Sequence, residues 1–261
     1  MRIISKFFLV IWRIWFYFLT SIPVILLSPI WLFFIFIPNG YRFVFWIARN
    51  IWAPFVLYGC GFCVLKINNL KKFSGNYILV ANHTSYIDVM VMFRMSSVPF
   101  VFVGKKELVK IPIFGFLYKR AVIMVDRSSS KSRFGVYGRA DEIIEKGYNL
   151  CIFPEKNYLD ETVLLNSFKQ GAFKIALKYK MPIVPLVFLD CKRKFPWYTT
   201  HGHPGSLRVK ILDPVLLNKK KVSIDLLKKK VYKMIKRELE LDPKKASLKA
   251  IIIWKKIKKI I

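Results

Sequence analysis

ILVANHTSYIDVM, residues 78–90, decides how this chain is read. An apolar run stops at Asn82 and His83, and apolar residues resume around Asp88. For His83 and Asp88 to meet, the chain must leave a strand and turn into a helix, with Asp88 in its first turn. Thr84 or Ser85 is placed to cap that helix. A neutral imidazole takes up a proton near neutral pH, which makes histidine the usual general base. A carboxylate on the other ring nitrogen fixes the tautomer and stabilises the imidazolium. The competing reading is that Asp88 only completes a capping box with Ser85, three residues before it.

Outward from this stretch, short β-rich apolar runs occur at 76–81, 98–103, 121–125, 149–153, 182–188 and 207–212. Between them lie segments with helical spacing, among them 131–146 and 167–180. Strands alternating with helices give an α/β fold, a mixed sheet covered by helices on both faces. In such sheets the chemistry sits where strands end, which is where His83 stands.

Residues 1–60 hold no Asp or Glu and five basic residues. The apolar run 7–38 carries one charge, Arg13, and the internal prolines Pro23 and Pro29. It is too long for a cleaved signal peptide and lacks a small-residue cleavage site. A second apolar stretch, 43–60, follows the turn signal Asn39-Gly40. The expectation is membrane insertion, either as one tilted span or as a hairpin within one leaflet. This divides the chain into a membrane-embedded segment 1–63, an α/β domain 64–217 and a basic C-terminal segment 218–261.

Formal net charge is +30, and the last forty-four residues alone hold sixteen basic and four acidic residues. Such a charge suits an anionic partner. Lys, Ile, Asn and Phe are abundant together, so compositional bias competes with partner binding as its cause. Ala250, Ile253, Trp254 and Ile257 recur at three- and four-residue spacing among lysines, as in a basic amphipathic helix on a membrane face. The basic runs lack the aromatic interleaving of a single-strand platform and contain no recognition motif, so nucleic acid is not the expected partner. Of the four cysteines, Cys60 and Cys63 form one C-x-x-C. With His201 and His203 its spacing matches no zinc module. No metal or cofactor is expected.

The order of blocks along the chain resembles the glycerolipid acyltransferases, specifically the lysophosphatidate acyltransferase family. Asn82-His83-x-x-x-x-Asp88 is similar to that family's first signature. Gly104-Lys105-Lys106-Glu107-Leu108 and Ile111-Pro112-Ile113-Phe114-Gly115 resemble the stretch after it. Val125-Asp126-Arg127 resembles the second block and Phe153-Pro154-Glu155 the opening of the third. Phe168-Lys169-Gln170-Gly171-Ala172-Phe173 and Ile183-Val184-Pro185-Leu186 resemble the segments that follow. An ordered set is more specific than any one motif. The third block departs from the family's Phe-Pro-Glu-Gly-Thr-Arg: Lys156, Asn157 and Tyr158 follow Glu155, so the glycine and arginine are absent.

The resemblance implies transfer of an acyl chain from acyl-CoA or acyl carrier protein to the hydroxyl of a lysophosphatidate acceptor in the membrane. His83 would be the base and Asp88 its orienting partner. Asn82, Lys105, Arg127 and Glu155 would serve the substrate. Lys156, Lys169 or Arg127 would supply the cation that the missing arginine leaves open. Pro185 is expected to shape a strand edge near the acyl path. Acyl donors are cytosolic, so the site is expected to face the cytosol. Three readings compete: another acceptor such as glycerol-3-phosphate or an aminolipid, a membrane-tethered nucleic-acid binder, and an inactive homologue suggested by the altered third block.

Overall fold

The computed structural model describes residues 2–69, 75–110, 114–125, 130–155, 163–197, 201–217 and 222–244. The chain opens with α1 (Arg2–Leu26), α2 (Ser28–Phe36), α3 (Tyr41–Ile47), a π-helical turn (Ala48–Trp52) and α4 (Ala53–Gly59). Then come β1 (Phe62–Lys66), β2 (Ile78–Ala81), α5 (Asp88–Met95), β3 (Phe100–Lys105) and a 3₁₀ turn (Lys106–Lys110). α6 (Phe114–Ala121), β4 (Val122–Val125), α7 (Ser130–Glu145) and β5 (Asn149–Ile152) follow. The described chain ends with α8 (Gly171–Tyr179), β6 (Ile183–Phe188), α9 (Cys191–Lys194), β7 (Gly205–Ile211) and α10 (Ile224–Leu241).

The seven strands form one mixed sheet in the order β1-β7-β6-β2-β5-β3-β4. Among the described residues, the β6–β7 strand pair alone is antiparallel. Every residue of β2, β5 and β6 is buried, as central strands covered on both faces require. Alternate residues feed two cores. Leu79, Ala81, Val184, Leu186, Leu207 and Val209 face α1 to α5. Ile78, Val80, Ile183 and Val187 face α7, α8 and α10.

All six expected strands are present. The seventh, β1, is a run of mixed exposure and pairs, among the described residues, with the distant β7 alone. Pro185 does not lie at a strand edge. It sits inside β6, between β2 and β7. Pairing with the 205–215 segment slips by one residue between Leu186↔Ile211 and Ile183↔Val215. Pro185 lies at that bulge, where a missing N–H is tolerated; its carbonyl accepts from Leu212 N at 2.8 Å.

Of the apolar N-terminal elements, α1 alone is long and apolar enough to cross a membrane, with a window of mean hydropathy 1.8 over Phe7–Leu26. Phe7, Ile11, Ile14, Phe18 and Ile25 point outward along one face, while Phe16 and Leu19 are buried on the other. Asn39-Gly40 makes the expected turn: Asn39 is left-handed at φ 59°, and a Cβ on Gly40 would fall 1.7 Å from Phe34 O. Residues 41–59 pack against the sheet, with Ala53 and Val56 fully buried beside α5 and β1. The amino-terminal segment and the α/β layer therefore share a core. α10 belongs to the other core through Leu227, Val231, Ile235 and Leu239. The expected amphipathic helix beyond Lys249 lies outside the described residues.

Candidate active site

β2 delivers the chain to Asn82, and the next six residues build the site. Asn82 is buried at 3% exposure. Its amide donates to Phe188 O at 3.0 Å and accepts from Phe188 N at 2.8 Å. This two-way bond locks the end of β2 to the end of β6 and fixes where the chain departs.

His83 Nδ1 lies 2.9 Å from Asp88 Oδ2. The same oxygen accepts the N–H groups of Thr84 at 2.7 Å and Ser85 at 2.8 Å. An oxygen receiving two backbone donors is an acceptor, so Nδ1 carries the proton and Nε2 the lone pair. Asp88 is fully buried, whereas the His83 side chain keeps 15% exposure. The imidazole is reachable and the carboxylate that orients it is sealed.

The cap differs from the sequence expectation. Neither Thr84 nor Ser85 caps α5 as its N-cap; that position is Ile87, without a side-chain bond. Ser85 Oγ donates to Phe195 O and accepts from Ile87 N at 3.3 Å, which takes it away from the Asp88 amide. Asp88 still reaches back to the Ser85 N–H, so half of a capping box forms while its carboxylate also holds His83.

Glu155 stands at the end of the segment after β5, fully buried. One carboxylate oxygen accepts from His83 N at 2.7 Å, and the other from Asn166 N at 3.0 Å and Asn166 Nδ2 at 3.1 Å. Burial raises its pKa from the usual 4.5 to about 7 against the opposing pull of these donors. The group is a strut between the His83 backbone and the 163–168 loop, with no exposed surface for a substrate.

Aromatic rings set the imidazole plane. Phe153 stacks on it at 3.9 Å between centroids, and Trp197 meets it edge-to-face at 4.4 Å. Two residues before Trp197, Phe195 packs against Trp12 and Phe16 of α1 at 5.1 and 4.7 Å. The Arg13 guanidinium covers the Phe195 ring at 4.5 Å and donates to His201 O at 3.2 Å. The long apolar helix thus grips the segment that covers the histidine.

The remaining expected residues divide plainly. Lys169 is half-buried beside the site, its N–H donating to Pro154 O at 2.8 Å. Lys105 ends β3 next to Val125, with its side chain outside the described residues. Arg127 and Lys156 lie outside the described residues altogether. Pro185 touches the site only through its strand. Asn166, Trp197 and Phe195 had no signal in the sequence. Phe153 did, since it begins the third block.

A family profile described as Acyltransferase matches residues 62–189, the span from β1 through β6 that contains His83, Asp88 and Glu155. Residues 62–189, just under half of the 261-residue chain, therefore resemble an acyltransferase domain. Similar proteins include the 1-acyl-sn-glycerol-3-phosphate acyltransferase of Cocos nucifera, 28% identical over 67% of this chain and 53% of that one. The enzyme of the same name from Limnanthes douglasii is 31% identical over 58% of this chain and 54% of its own. The chain therefore spans about half the length of these curated relatives. The crystal structure of the 1-acyl-sn-glycerophosphate acyltransferase from Thermotoga maritima superimposes with a TM-score of 0.73. That match has 24% identity and covers 92% of this chain and 97% of the other, which establishes the fold of the acyltransferase domain and of the helices before it.

Proposed function

We propose that this protein moves a fatty acyl chain from acyl-CoA or acyl carrier protein to the 2-hydroxyl of a lysophosphatidate acceptor, giving phosphatidate. The supporting observation is the His83–Asp88 pair, 2.9 Å apart, on a carboxylate already held by two backbone donors. The relatives' names carry the acceptor, and the His83 geometry carries the chemistry.

In this reading His83 Nε2 takes the proton of the acceptor hydroxyl as its oxygen attacks the thioester carbonyl. Asp88 stabilises the imidazolium that forms. Collapse of the tetrahedral intermediate breaks the C–S bond, and the leaving thiolate recovers the proton from His83. An ester and a free thiol result. Asn82 and Glu155 act as positioning residues, since Asn82 ties the strand end before His83 to the Phe188 backbone and Glu155 accepts the His83 N–H. Lys105, Arg127, Lys156 and Lys169 remain the cations proposed to hold the acceptor phosphate.

The acceptor sits in a leaflet, and α1 presents an outward apolar face suited to that leaflet. We place the active site on the cytosolic side, where thioester donors are made. Labelling of a cysteine introduced at exposed Lys174, accessible only from the opposite side, would overturn that orientation. The function is tested by supplying both donors with lysophosphatidate, glycerol-3-phosphate and aminolipid lysolipids. Phosphatidate as the main product supports the reading. A larger yield from another acceptor would replace it.

A further inference from the structure

On the α10 side of the sheet, away from α1, a cleft of about 350 Å³ opens beside the end of β6. Arg193, Lys194, Ser206, Arg208 and Lys244 line it, with Asp190 at its floor. Its carboxylates are already engaged. Asp190 accepts from the Arg208 backbone N–H once and its guanidinium twice, each at 2.8 Å, and from Arg193 at 2.5 Å, and Asp242 takes the other side of Arg208.

Two donors remain unbalanced. Lys194 is 6% exposed and makes no ion pair among the described residues. Its ammonium donates to Pro204 O at 3.0 Å. The nearby His203 Nδ1 itself donates to Pro204 O at 2.9 Å and so does not accept from the lysine. Arg193 Nε is buried and has no acceptor. The site is shaped for the lysine: a Cβ on Gly205 would come 2.6 Å from Lys194 Nζ. Burial, then the charge of Arg193, lowers the Lys194 pKa. The one carboxylate beside it, Asp190, opposes that shift but is already bonded to Arg208 and Arg193, so the Lys194 ammonium has no ion-pair partner of its own among the described residues.

We propose that this cleft binds a phosphate ester, with Lys194, Arg193 and Lys244 as its cations. Multiple point charges, a guanidinium edge and the Ser206 hydroxyl suit a multiply charged oxyanion. Arg193 also borders a narrow cleft with Asn82 and Phe188, which leads to the strand end that carries His83. Under the acyl-transfer reading, on which this assignment of source rests, the group is the phosphate-bearing end of the soluble donor. A lipid headgroup has the same chemistry.

The test measures binding of adenosine 3′,5′-bisphosphate to the detergent-purified full chain by calorimetry. In parallel, flotation compares phosphatidate-containing vesicles with phosphatidylcholine vesicles. Lys194→Gln and the exposed Lys244→Gln are compared with wild type, and thermal unfolding confirms that each folds. Loss of one charge-assisted bond should weaken phosphate binding by about tenfold. Weakening in the soluble arm assigns the donor, and weakening only in the vesicle arm assigns the headgroup. Equal binding by wild type and Lys244→Gln in both arms would overturn the site, whether or not Lys194→Gln folds. His83→Ala separates the two claims: it should abolish turnover and leave phosphate binding intact. Lysine-dependent phosphate binding without turnover by wild type would sink the acyl-transfer reading and leave the cleft standing.

Discussion

At His83 one carboxylate oxygen does two tasks. Asp88 Oδ2 gathers the Thr84 and Ser85 amides and so holds the turn that brings it to Nδ1. Asp88→Asn keeps the size of the side chain but must either face those amides with its own NH₂ or lose Nδ1. We expect kcat to fall by about 10²–10⁴-fold with KM little changed, read from initial rates. Glu155 makes a different prediction. Its folded pKa, about 7, lies above the ordinary 4.5. The folded state therefore binds that proton more tightly than the unfolded chain. Stability from this group is full below pH 4.5 and is lost as pH rises to about 7, on the order of 3 kcal/mol. Glu155→Gln should flatten thermal unfolding temperature across that window. An unchanged slope would show that the carboxylate is not the titrating group. The local pair was legible in the sequence because five residues separate its members. The Glu155 strut was not: its partners, His83 N and Asn166, come from different segments of the chain.

The elements around the site were readable in proportion to their burial. β2, β5 and β6 are continuous apolar runs because helices cover both faces. β1 escaped because FCVLK is half exposed and its pairing partner lies more than a hundred residues away. The segment from α9 to β7 shows how elements transmit position. Asp190 anchors it, bonded to Arg208 and Arg193. Burial would raise the Asp190 pKa, but these bonds outweigh it and hold the group at about 2. Its depressed pKa adds stability above the usual 3.8 that disappears as pH falls to about 2. Asp190→Asn should therefore cost about 3–5 kcal/mol at neutral pH in denaturant titration, the range for breaking a buried pair. Trp197, on the same segment, faces His83 rather than the core. Trp197→Ala should lower kcat and shift the pH–rate profile while unfolding temperature stays close to wild type; Trp197→Phe should restore most of the rate. A stability loss without a profile shift would make the ring merely structural.

For the whole molecule, the apolar helices and the α/β layer share one core, in which α1 serves two surfaces. Trp12, Phe16 and Leu19 enter the core beside Phe195, while Phe7, Ile14 and Phe18 face outward. Substituting Phe7, Ile14 and Phe18 together with Ser should abolish flotation with phospholipid vesicles and leave unfolding in detergent near wild type. Binding that persists would place membrane attachment elsewhere. In sequence, the abrupt change of composition near residue 60 and the absence of acidic residues before it favour a membrane segment over a buried helical pair. Packing of residues 41–59 against α5 and β1 is not legible there, since an apolar helix facing lipid and one facing a sheet look alike in composition. The central claim is that His83 is the base for acyl transfer to lysophosphatidate. It is tested most directly by incubating wild type and His83→Ala with a labelled acyl thioester and lysophosphatidate, and measuring phosphatidate. The account predicts phosphatidate from wild type and a loss of at least about 10²-fold in the variant. Equal rates from the two proteins would contradict it.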